Sequence, residues 1–518
     1  MIRTKKNLFI AFASLCLSGA CTKNFEEINR NPNQVTVGNI QAIGMFEPIL
    51  YDGANTWLNY TWFWNNELMQ FTVFSAGTTR EEHRYFISNG NFQTWWNFHA
   101  RYASNANHMR ELAAKENNPT LEAIALTWKV YYLYNQTDMF GDIPYTEAFQ
   151  AFETGNTKVK FERQEQVYQH MFEDLETANE LYKQGYIFRD SQRDKMYGGN
   201  VESWCRFNNS LYLRLLMRLS GRNLEYVTQK MNEILNNPEA YPIFRSNEDN
   251  ATVRFTGEYP YVNYFGNQTH QGFTGSGRRL AEQLIKMTVY VEAGDTVMID
   301  PRLPIYGKIN PNAGMWKGAV AGGTIEQTST SNHEAAFLNT EVFCRNDATY
   351  TFMDFAEIQF ILAEAALKGI IPGGKSQAKA YYDRGIRASM EKWNGVARYS
   401  IVPATITEEA ITAFIDYPEV YFNPNEPDEV LQEKLANQKH LALFWIGMEA
   451  WHEYRRTGYP VLTIGQGTLN DRVLPTRFAY PSSTIASNSE NANEAIRNMG
   501  GTNDMKTPVW WSRQAIGN

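Results

Sequence analysis

Residues 355–393 read FAEIQFILAEAALKGIIPGGKSQAKAYYDRGIRASMEKW. Apolar side chains recur in the first part of this stretch at the spacing of one helical face, namely Phe355, Ile358, Leu362 and Ala365. Pro372-Gly-Gly374 interrupts the pattern, and residues 376–393 resume it. The stretch therefore predicts two helices joined by a short turn, an αα-hairpin.

The same spacing predicts further helices. The stripes are Leu121, Ile124, Trp128, Tyr131 and Asn135; Met171, Leu175, Ala178 and Tyr182; Trp204, Phe207, Leu211 and Leu215; and Leu435, Ala442, Trp445 and Glu449, the last on one long helix near 431–456. Paired helices of this size are similar in architecture to tetratricopeptide repeats, although the consensus residues of that repeat are absent. Sequence alone does not establish that repeat, so the spacing predicts only a mainly α fold with paired helices.

Three regions lack a sustained helical period. Residues 245–345, 400–428 and 457–518 are irregular, and Gly, Asn, Thr and Ser are dense in parts of the first. They predict large loop-rich insertions with a few short strands. Loops on a rigid scaffold commonly carry binding groups, so we expect the functional site there.

The first residues have the pattern of a secretory signal peptide. A basic start, an apolar run of about ten residues and small residues up to Ala20 precede Cys21. Ser18-Gly-Ala-Cys21 is similar to a relaxed bacterial lipobox, which predicts lipidation of Cys21; a plain signal peptide is the alternative. We predict a signal peptide at 1–20, a lipidated tether at 21–39 and a single domain at 40–518.

Composition excludes some function classes. Lys+Arg 48 against Asp+Glu 56 gives a net charge of −8, and without the three cations of the leader 45 minus 56 gives −11. An acidic chain argues against a nucleic-acid partner. Aromatic residues form 14% of the chain, which is unusually rich for a soluble domain.

Motifs for catalysis and metal binding are missing. The sequence contains no GxSxG, HExxH, P-loop or CxxC pattern, and the histidines lack ligand spacing. We therefore predict no catalytic residue and no metal ligand. Glu357 and Glu364 are expected to form the polar edge of a helix. Cys205 and Cys344 could pair, but Cys205 lies in an aromatic-rich amphipathic run where a small buried thiol is commonplace, which favours free cysteines.

Aromatic residues give the strongest indication of a binding site. A flat ring covers the apolar face of a sugar, while nearby amides and carboxylates bind its hydroxyls. The candidate ligand-binding residues are Trp95, Trp96, Tyr259, Tyr261, Tyr264 and Trp316. The alternative for rings at helical spacing is burial in the core.

Several motifs in order along the chain resemble the SusD/RagB family of outer-membrane nutrient-binding lipoproteins, in its SusD-like branch. They are Asn29-Arg-Asn-Pro-Asn-Gln34, residues 136–148 (QTDMFGDIPYTEA), Asn209-Ser-Leu-Tyr-Leu-Arg214, Asp300-Pro-Arg-Leu303, residues 355–364, Arg455-Arg-Thr-Gly-Tyr-Pro460 and Trp510-Trp511. We expect Asp138 to Asp142 and Arg455-Arg456 to fix helix ends and helix packing.

The resemblance implies a cell-surface position on the outer membrane and a SusC-type TonB-dependent transporter as partner. It also implies an oligosaccharide or peptide ligand, no cofactor, and a structural Ca²⁺ ion as an option. The leading hypothesis is a non-enzymatic receptor that delivers an oligomeric nutrient, a glycan by preference, to the transporter. A surface glycoside hydrolase and a transporter lid that binds little ligand are the alternatives.

Overall fold

The computed structural model of the protein describes residues 40–74, 82–269, 271–275, 277–399 and 405–516; the side chains of Phe152, Gln271 and Gly275 are excluded. The predicted signal peptide, Cys21 and the tether at 21–39 lie outside the described residues.

Helices form most of the scaffold. They are α1 (43–68), α2 (Asn89–Lys115), α3 (Pro119–Phe140), α4 (Gln164–Tyr182), α5 (Val201–Arg218), α6 (Leu224–Asn236), α7 (Glu282–Thr288), α8 (Ile325–Asn332), α9 (Phe355–Leu367), α10 (Gly374–Ala397), α11 (Glu408–Ile415), α12 (Asp428–Ala442), α13 (Glu449–Thr457), α14 (Ser482–Ser487) and α15 (Ser489–Asn498). Single helical turns lie at Ala151–Thr154, Leu303–Tyr306, Thr340–Phe343 and Arg513–Ile516. The predicted αα-hairpin is confirmed as α9 and α10.

Packing of successive helices builds a continuous layer. Helix α2 packs on α3, α3 on α4, and α4 on α5; α5 then contacts α9, which packs on α10 and α12. The mainly α prediction is therefore confirmed.

Side-chain caps explain where several helices begin. The cap residues accept a hydrogen bond from the backbone N–H three positions later, and they are Ser88, Asn118, Asn200, Asn223 and Asp354. Each satisfies a donor that lacks a partner inside the helix. Pro119 occupies the first position of α3, where a missing N–H costs nothing.

Helix α1 is irregular. Two π-helical turns, Pro48–Asp52 and Thr61–Asn65, interrupt its α-helical parts. The hydroxyl of Tyr132 donates to the carbonyl of Ile49 at 2.8 Å. A Cβ at Gly53 would lie 2.0 Å from the same hydroxyl oxygen, so this close approach requires glycine.

Short antiparallel strand pairs lie mainly in the loop-rich part. They are β1 (Thr72–Phe74) with β3 (Arg278–Leu280), β2 (Ala251–Val253) with β8 (Tyr350–Met353), β4 (Val289–Glu292) with β5 (Asp295–Ile299), and β6 (Gly307–Lys308) with β7 (Phe337–Leu338). The pair β1–β3 joins residues 72–74 to 278–280, and β2–β8 joins residues 251–253 to 350–353. Strands β4 and β5 form a local hairpin, and β6–β7 joins residues 307–308 to 337–338.

The structure corrects two predictions of local structure and settles the state of the two cysteines. The long helix near 431–456 is two helices, α12 and α13, because the chain turns at Trp445 (φ 71°) and Gly447 (φ 46°). The irregular regions contain helices α7, α8, α11, α14 and α15 that loop composition concealed. Cys205 and Cys344 are both free thiols.

Buried ion pairs lock the helices together. Arg214 binds Glu357 through two bonds of 2.7 and 2.5 Å, and it also donates to the hydroxyl of Tyr134 at 2.8 Å. Arg456 binds Glu364 at 2.7 and 2.5 Å. The expectation of a polar helix edge was wrong, since both glutamates are fully buried. Burial disfavours ionisation of Glu364, but Arg456 overcomes this and holds the pKa of Glu364 below its usual range.

Arg218 is the centre of the network. Its guanidinium contacts Asp138 at 3.2 Å and Glu453 at 2.7 Å, and it also binds Glu449. Asp138 accepts a hydrogen bond from the indole N–H of Trp511 at 2.6 Å. Residues far apart in sequence thus share one buried cluster.

Arg455 extends this network to the C-terminal segment. Its guanidinium donates to the backbone carbonyls of Asp138 at 2.6 Å and Thr476 at 2.9 Å, and it lies 3.7 Å from the ring centroid of Trp451. The carboxylate of Asp142 accepts from the backbone N–H of Gln164 at 2.8 Å, at the start of α4. As predicted, these motif residues fix helix ends and helix packing.

Candidate functional site

A cleft of about 360 Å³ lies between the C-terminal end of α10, strands β2 and β8, and residues 342–349. We call it the aromatic cleft. Its aromatic lining residues are Phe343, Trp393, Tyr399 and Trp445. Trp445 packs on Phe343 with ring centroids 4.4 Å apart, and Trp393 lies 6.1 Å from the same ring.

The backbone of Trp445 has a conformation that bulky residues rarely adopt. Its φ of 71° lies in the left-handed region, where a side chain other than glycine is strained. Trp445 lies in the turn between α12 and α13, and it forms part of the wall of the cleft with 6% of the residue exposed. Strain of this kind concentrates at functional sites, so Trp445 is a candidate contact residue.

Hydroxyl and amide groups line another part of the cleft. Thr252 and Thr351 face each other across β2 and β8 with their hydroxyl oxygens 2.9 Å apart. One proton suffices for that bond, so the second hydroxyl proton is available to a ligand. Asn250 accepts from the N–H of Phe355 at 2.7 Å, and Asn263 donates to the carbonyl of Ala348 at 2.9 Å.

The charges around the cleft balance. The lining includes the acids Glu248, Asp347 and Glu391 and the bases Arg254, Lys392 and Arg398. The ammonium of Lys392 donates to the carboxylate of Asp354 at 2.8 Å, and Asp354 itself does not line the cleft. Arg345 pairs with Asp347 at 2.8 Å and covers the ring of Tyr399 at 3.7 Å. An equal number of acids and bases suits a ligand without strong net charge.

Residues 256–265, the tyrosine loop, border the aromatic cleft through Asn263. Asn55 of α1 donates to the carbonyl of Val262 at 3.1 Å and accepts from the N–H of Tyr264 at 2.8 Å. The N–H of Asn263 donates to the carbonyl of Asn346 at 2.9 Å. The loop is therefore fixed between α1 and the segment that lines the cleft.

Three of the predicted residues lie on this loop. Tyr259 is 93% exposed and Tyr264 is 48% exposed. Tyr261 is half-buried: its ring packs on Tyr51 at 4.5 Å, and its hydroxyl donates to Glu47 at 2.6 Å. This hydrogen bond raises the pKa of Tyr261. Tyr259 and Tyr264 offer free ring surface, whereas Tyr261 mainly holds the loop in place.

The other predicted residues lie elsewhere. Trp316 is half-buried in a segment that pairs with residues 334–336, since Lys317 contacts both Glu334 and the N–H of Ala336. Trp96 is half-buried against Phe161 at 5.8 Å. The predicted residues thus do not form a single cluster.

Trp95 requires a correction. Its side chain is fully buried, with the ring of Trp57 5.7 Å away. It lies on the inward face of α2, so a ligand cannot reach it and we remove it from the candidate set. Sequence reasoning missed Trp393, Tyr399 and Trp445; the first and last lie in helical patterns that favoured core positions. The sequence marks these three rings as possible contact residues only by the polar residues beside them.

Metal binding is not apparent from the geometry. Across the described ranges, no group of three or more His, Cys, Asp or Glu side chains is placed to hold a metal ion. A structural Ca²⁺ ion therefore stays a prediction. Among the described helices, none has the length and apolar character needed to cross a membrane.

Comparison with known proteins places this geometry in context. Residues 32–481 match the model of the SusD-like family described as starch-binding and associating with the outer membrane. No curated protein matches the chain.

Solved structures share the fold. A SusD homologue from Bacteroides fragilis is 26% identical, with 91% of this chain and 100% of that chain covered and a TM-score of 0.76. A SusD homologue from Parabacteroides distasonis is 22% identical, covering 92% and 98%, with a TM-score of 0.75. A chitin-binding SusD homologue from Flavobacterium johnsoniae is 22% identical, covering 91% and 98%, with a TM-score of 0.72. Since the family model covers most of the sequence, this chain belongs to the SusD-like family.

Proposed function

We propose that the protein is a cell-surface lipoprotein of the outer membrane that binds an oligomeric nutrient, a glycan by preference, and delivers it to a SusC-type TonB-dependent transporter. Cys21 would carry the lipid. Family membership supports the nutrient and membrane parts of this proposal. The proposed role is binding without covalent chemistry.

One observation carries the ligand-binding part: exposed tyrosine rings lie on a fixed loop beside a cleft that combines indole walls with a threonine pair that keeps one hydroxyl proton for a ligand. Tyr259 and Tyr264 offer faces for sugar rings, while the Thr252–Thr351 pair offers a proton to a sugar hydroxyl. The balanced charge of the lining fits a neutral oligosaccharide. Glycan binding is further supported by the chitin-binding relative.

The loop and the cleft would act together. Asn263 lies in the tyrosine loop and also lines the aromatic cleft, so a chain of sugar units could contact both surfaces. Such platforms have few buried polar contacts, and we expect Kd values in the micromolar to millimolar range. Trp96, Tyr261 and Trp316 stay candidates for additional contacts.

Isothermal titration calorimetry against malto- and chito-oligosaccharides tests the proposal. Tyr259→Ala and Tyr399→Ala should each weaken binding about fivefold to tenfold, since one aromatic contact contributes on the order of 1 kcal/mol. Tyr421→Ala is the matched control, because Tyr421 is exposed but lies outside both the cleft lining and the tyrosine loop. Trp316→Ala determines whether that ring contributes.

Three results would contradict the proposal in different ways. Unchanged affinity in both Tyr259→Ala and Tyr399→Ala would exclude this site. New reducing ends after incubation with an oligosaccharide would indicate a hydrolase. No binding by the isolated protein, together with co-purification with the transporter, would indicate a lid.

The lipid and the location are tested separately. Growth with radiolabelled palmitate should label the wild-type protein, and Cys21→Ser should abolish the label and release the protein from the membrane fraction. Protease treatment of intact cells should degrade the wild-type protein if it faces the outside.

A further inference from the structure

A second groove, separate from the aromatic cleft, lies between α4 and α6. Its volume is about 720 Å³, and Trp510 lies at its edge. The floor is aromatic: Phe172 stacks on Tyr212 with centroids 5.1 Å apart and lies 5.7 Å from Tyr226. The hydroxyls of Tyr212 and Tyr226 bond at 3.2 Å, which fixes both rings.

The walls of this groove are acidic. Its charged lining residues are Glu165, Glu173, Glu176, Glu233 and Lys230, which sum to −3. Helix α4 contributes most of this charge, because the segment Gln164–Tyr182 contains no Lys or Arg. We call this surface the acidic groove.

The chain itself shows how the groove accommodates a cation. The ammonium of Lys230 contacts Glu176 and Glu233, each at 2.9 Å. The hydroxyl of Tyr241 donates to Glu176 at 2.9 Å and thereby orients that carboxylate. Glu173 contacts the imidazole of His170 at 3.0 Å, and the charge of Glu165 acts on the nearby guanidinium of Arg222. Within the described part of the chain, neither carboxylate forms a salt bridge with a lysine or arginine, so both can accept another cation.

Trp510 shows that a guanidinium fits against the aromatic edge. The guanidinium of Arg222 lies 5.5 Å from the Trp510 ring centroid. Arginine combines stacking on an aromatic face with paired hydrogen bonds to a carboxylate, a combination that lysine lacks. Aromatic rings beside carboxylates that bind no lysine or arginine directly, those of Glu165 and Glu173, therefore suit arginine.

We propose that the acidic groove is a docking site for an arginine-bearing segment of a partner protein. Charge complementarity selects this occupant over a second copy of the chain, whose net charge is −8. The inference does not depend on nutrient binding in the aromatic cleft. It assigns a protein-binding role to the outer face of α4 and α6.

Fluorescence anisotropy with labelled hexa-arginine and hexa-lysine peptides tests the docking site. The affinities should be measured near 0.15 M salt. There the Debye length of about 8 Å screens the attraction between the cationic peptide and the net negative charge of the whole protein. The double variant Glu165→Gln/Glu173→Gln alters the groove. Glu433→Gln/Glu494→Gln is the matched control, since both glutamates are exposed on helices outside it.

We expect hexa-arginine affinity to fall about tenfold in the groove variant and to stay within about twofold in the control. Hexa-lysine should bind the wild-type protein more weakly than hexa-arginine. Equal losses in the two variants, equal affinities for the two peptides, or no binding by the wild-type protein would overturn the proposal. Oligosaccharide binding should be unchanged in the groove variant, which separates this result from the fate of the aromatic cleft.

Discussion

The helical scaffold and the loop-borne candidate site use polar and aromatic residues in opposite ways. In the scaffold, Arg214 and Arg218 are almost fully buried and bind carboxylates on other helices. In the loop region, Tyr259 is almost fully exposed on a segment fixed by backbone and amide hydrogen bonds. The motifs that make the chain recognisable thus hold the helices, while the surface available to a ligand lies in irregular sequence.

The largest expected effect comes from removing the central cation of the scaffold. Arg218→Met leaves Asp138, Glu449 and Glu453 without their shared partner in a buried cluster. We expect a loss of about 3–5 kcal/mol in the free energy of unfolding. Urea denaturation followed by circular dichroism measures it.

A surface pair provides the contrast for this prediction. Arg387→Met removes the exposed partner of Glu408 and should cost at most about 1 kcal/mol. Similar losses in the two variants would show that the buried network does not stabilise the scaffold more than a surface pair does.

The next largest expected effect is a change in the free energy of unfolding with pH, caused by Asp142. Burial raises the pKa of Asp142 to about 6. The folded protein therefore retains this proton to higher pH than the unfolded chain, and the contribution to stability present at low pH is lost as pH rises toward and past 6. The loss is at most about 3 kcal/mol.

Asp142→Asn isolates this contribution, because the amide oxygen can still accept from the N–H of Gln164. Urea melts of both proteins between about pH 4 and 7.5 give the difference. Relative to the variant, the wild-type protein should lose stability as pH rises. A constant difference across this range would contradict the raised pKa.

Helix caps should have smaller and similar effects in the two regions. Asn118 caps α3 in the scaffold, and Thr324 caps α8 in the loop-rich part. Alanine at either position should cost about 1 kcal/mol, since the lost hydrogen bond is local. Thermal or urea unfolding would measure both. A much larger loss at Asn118 would mean that its cap also supports packing between helices.

The smallest effect on stability is expected at the tyrosine loop. Tyr259→Ala removes a ring that is 93% exposed and should change the free energy of unfolding by less than about 0.5 kcal/mol. Together with a loss of ligand affinity, this result would assign the ring to binding alone. A large destabilisation would instead make Tyr259 a structural residue.

Much of the scaffold could be predicted from the sequence because its signals are local. Spacing of Phe355, Ile358 and Leu362 and the break at Pro372 define α9 and α10 without knowledge of the rest of the chain. The break after α12 could not be predicted in this way. It depends on the left-handed backbone at Trp445, which is held by packing against Phe343 and other distant rings.

The candidate site was less predictable. Loop position correctly indicated that Tyr259 and Tyr264 would have exposed rings, but their ligand stays a prediction. Trp95 and Trp96 are neighbours in sequence, yet helical rotation turns the first into the core and leaves the second half-buried. Trp393 and Tyr399 reach the cleft only because α10 ends beside residues 342–349, a long-range contact that no local pattern contains.

The hydrogen bond from Trp511 to Asp138 also has a consequence for biosynthesis. A ribosome makes Asp138 long before Trp511, since 373 positions separate them, so the charged cluster of the early helices is completed only after Trp511 has been made. A chain that stops before Trp511 would leave the buried carboxylate of Asp138 with one hydrogen-bond donor fewer.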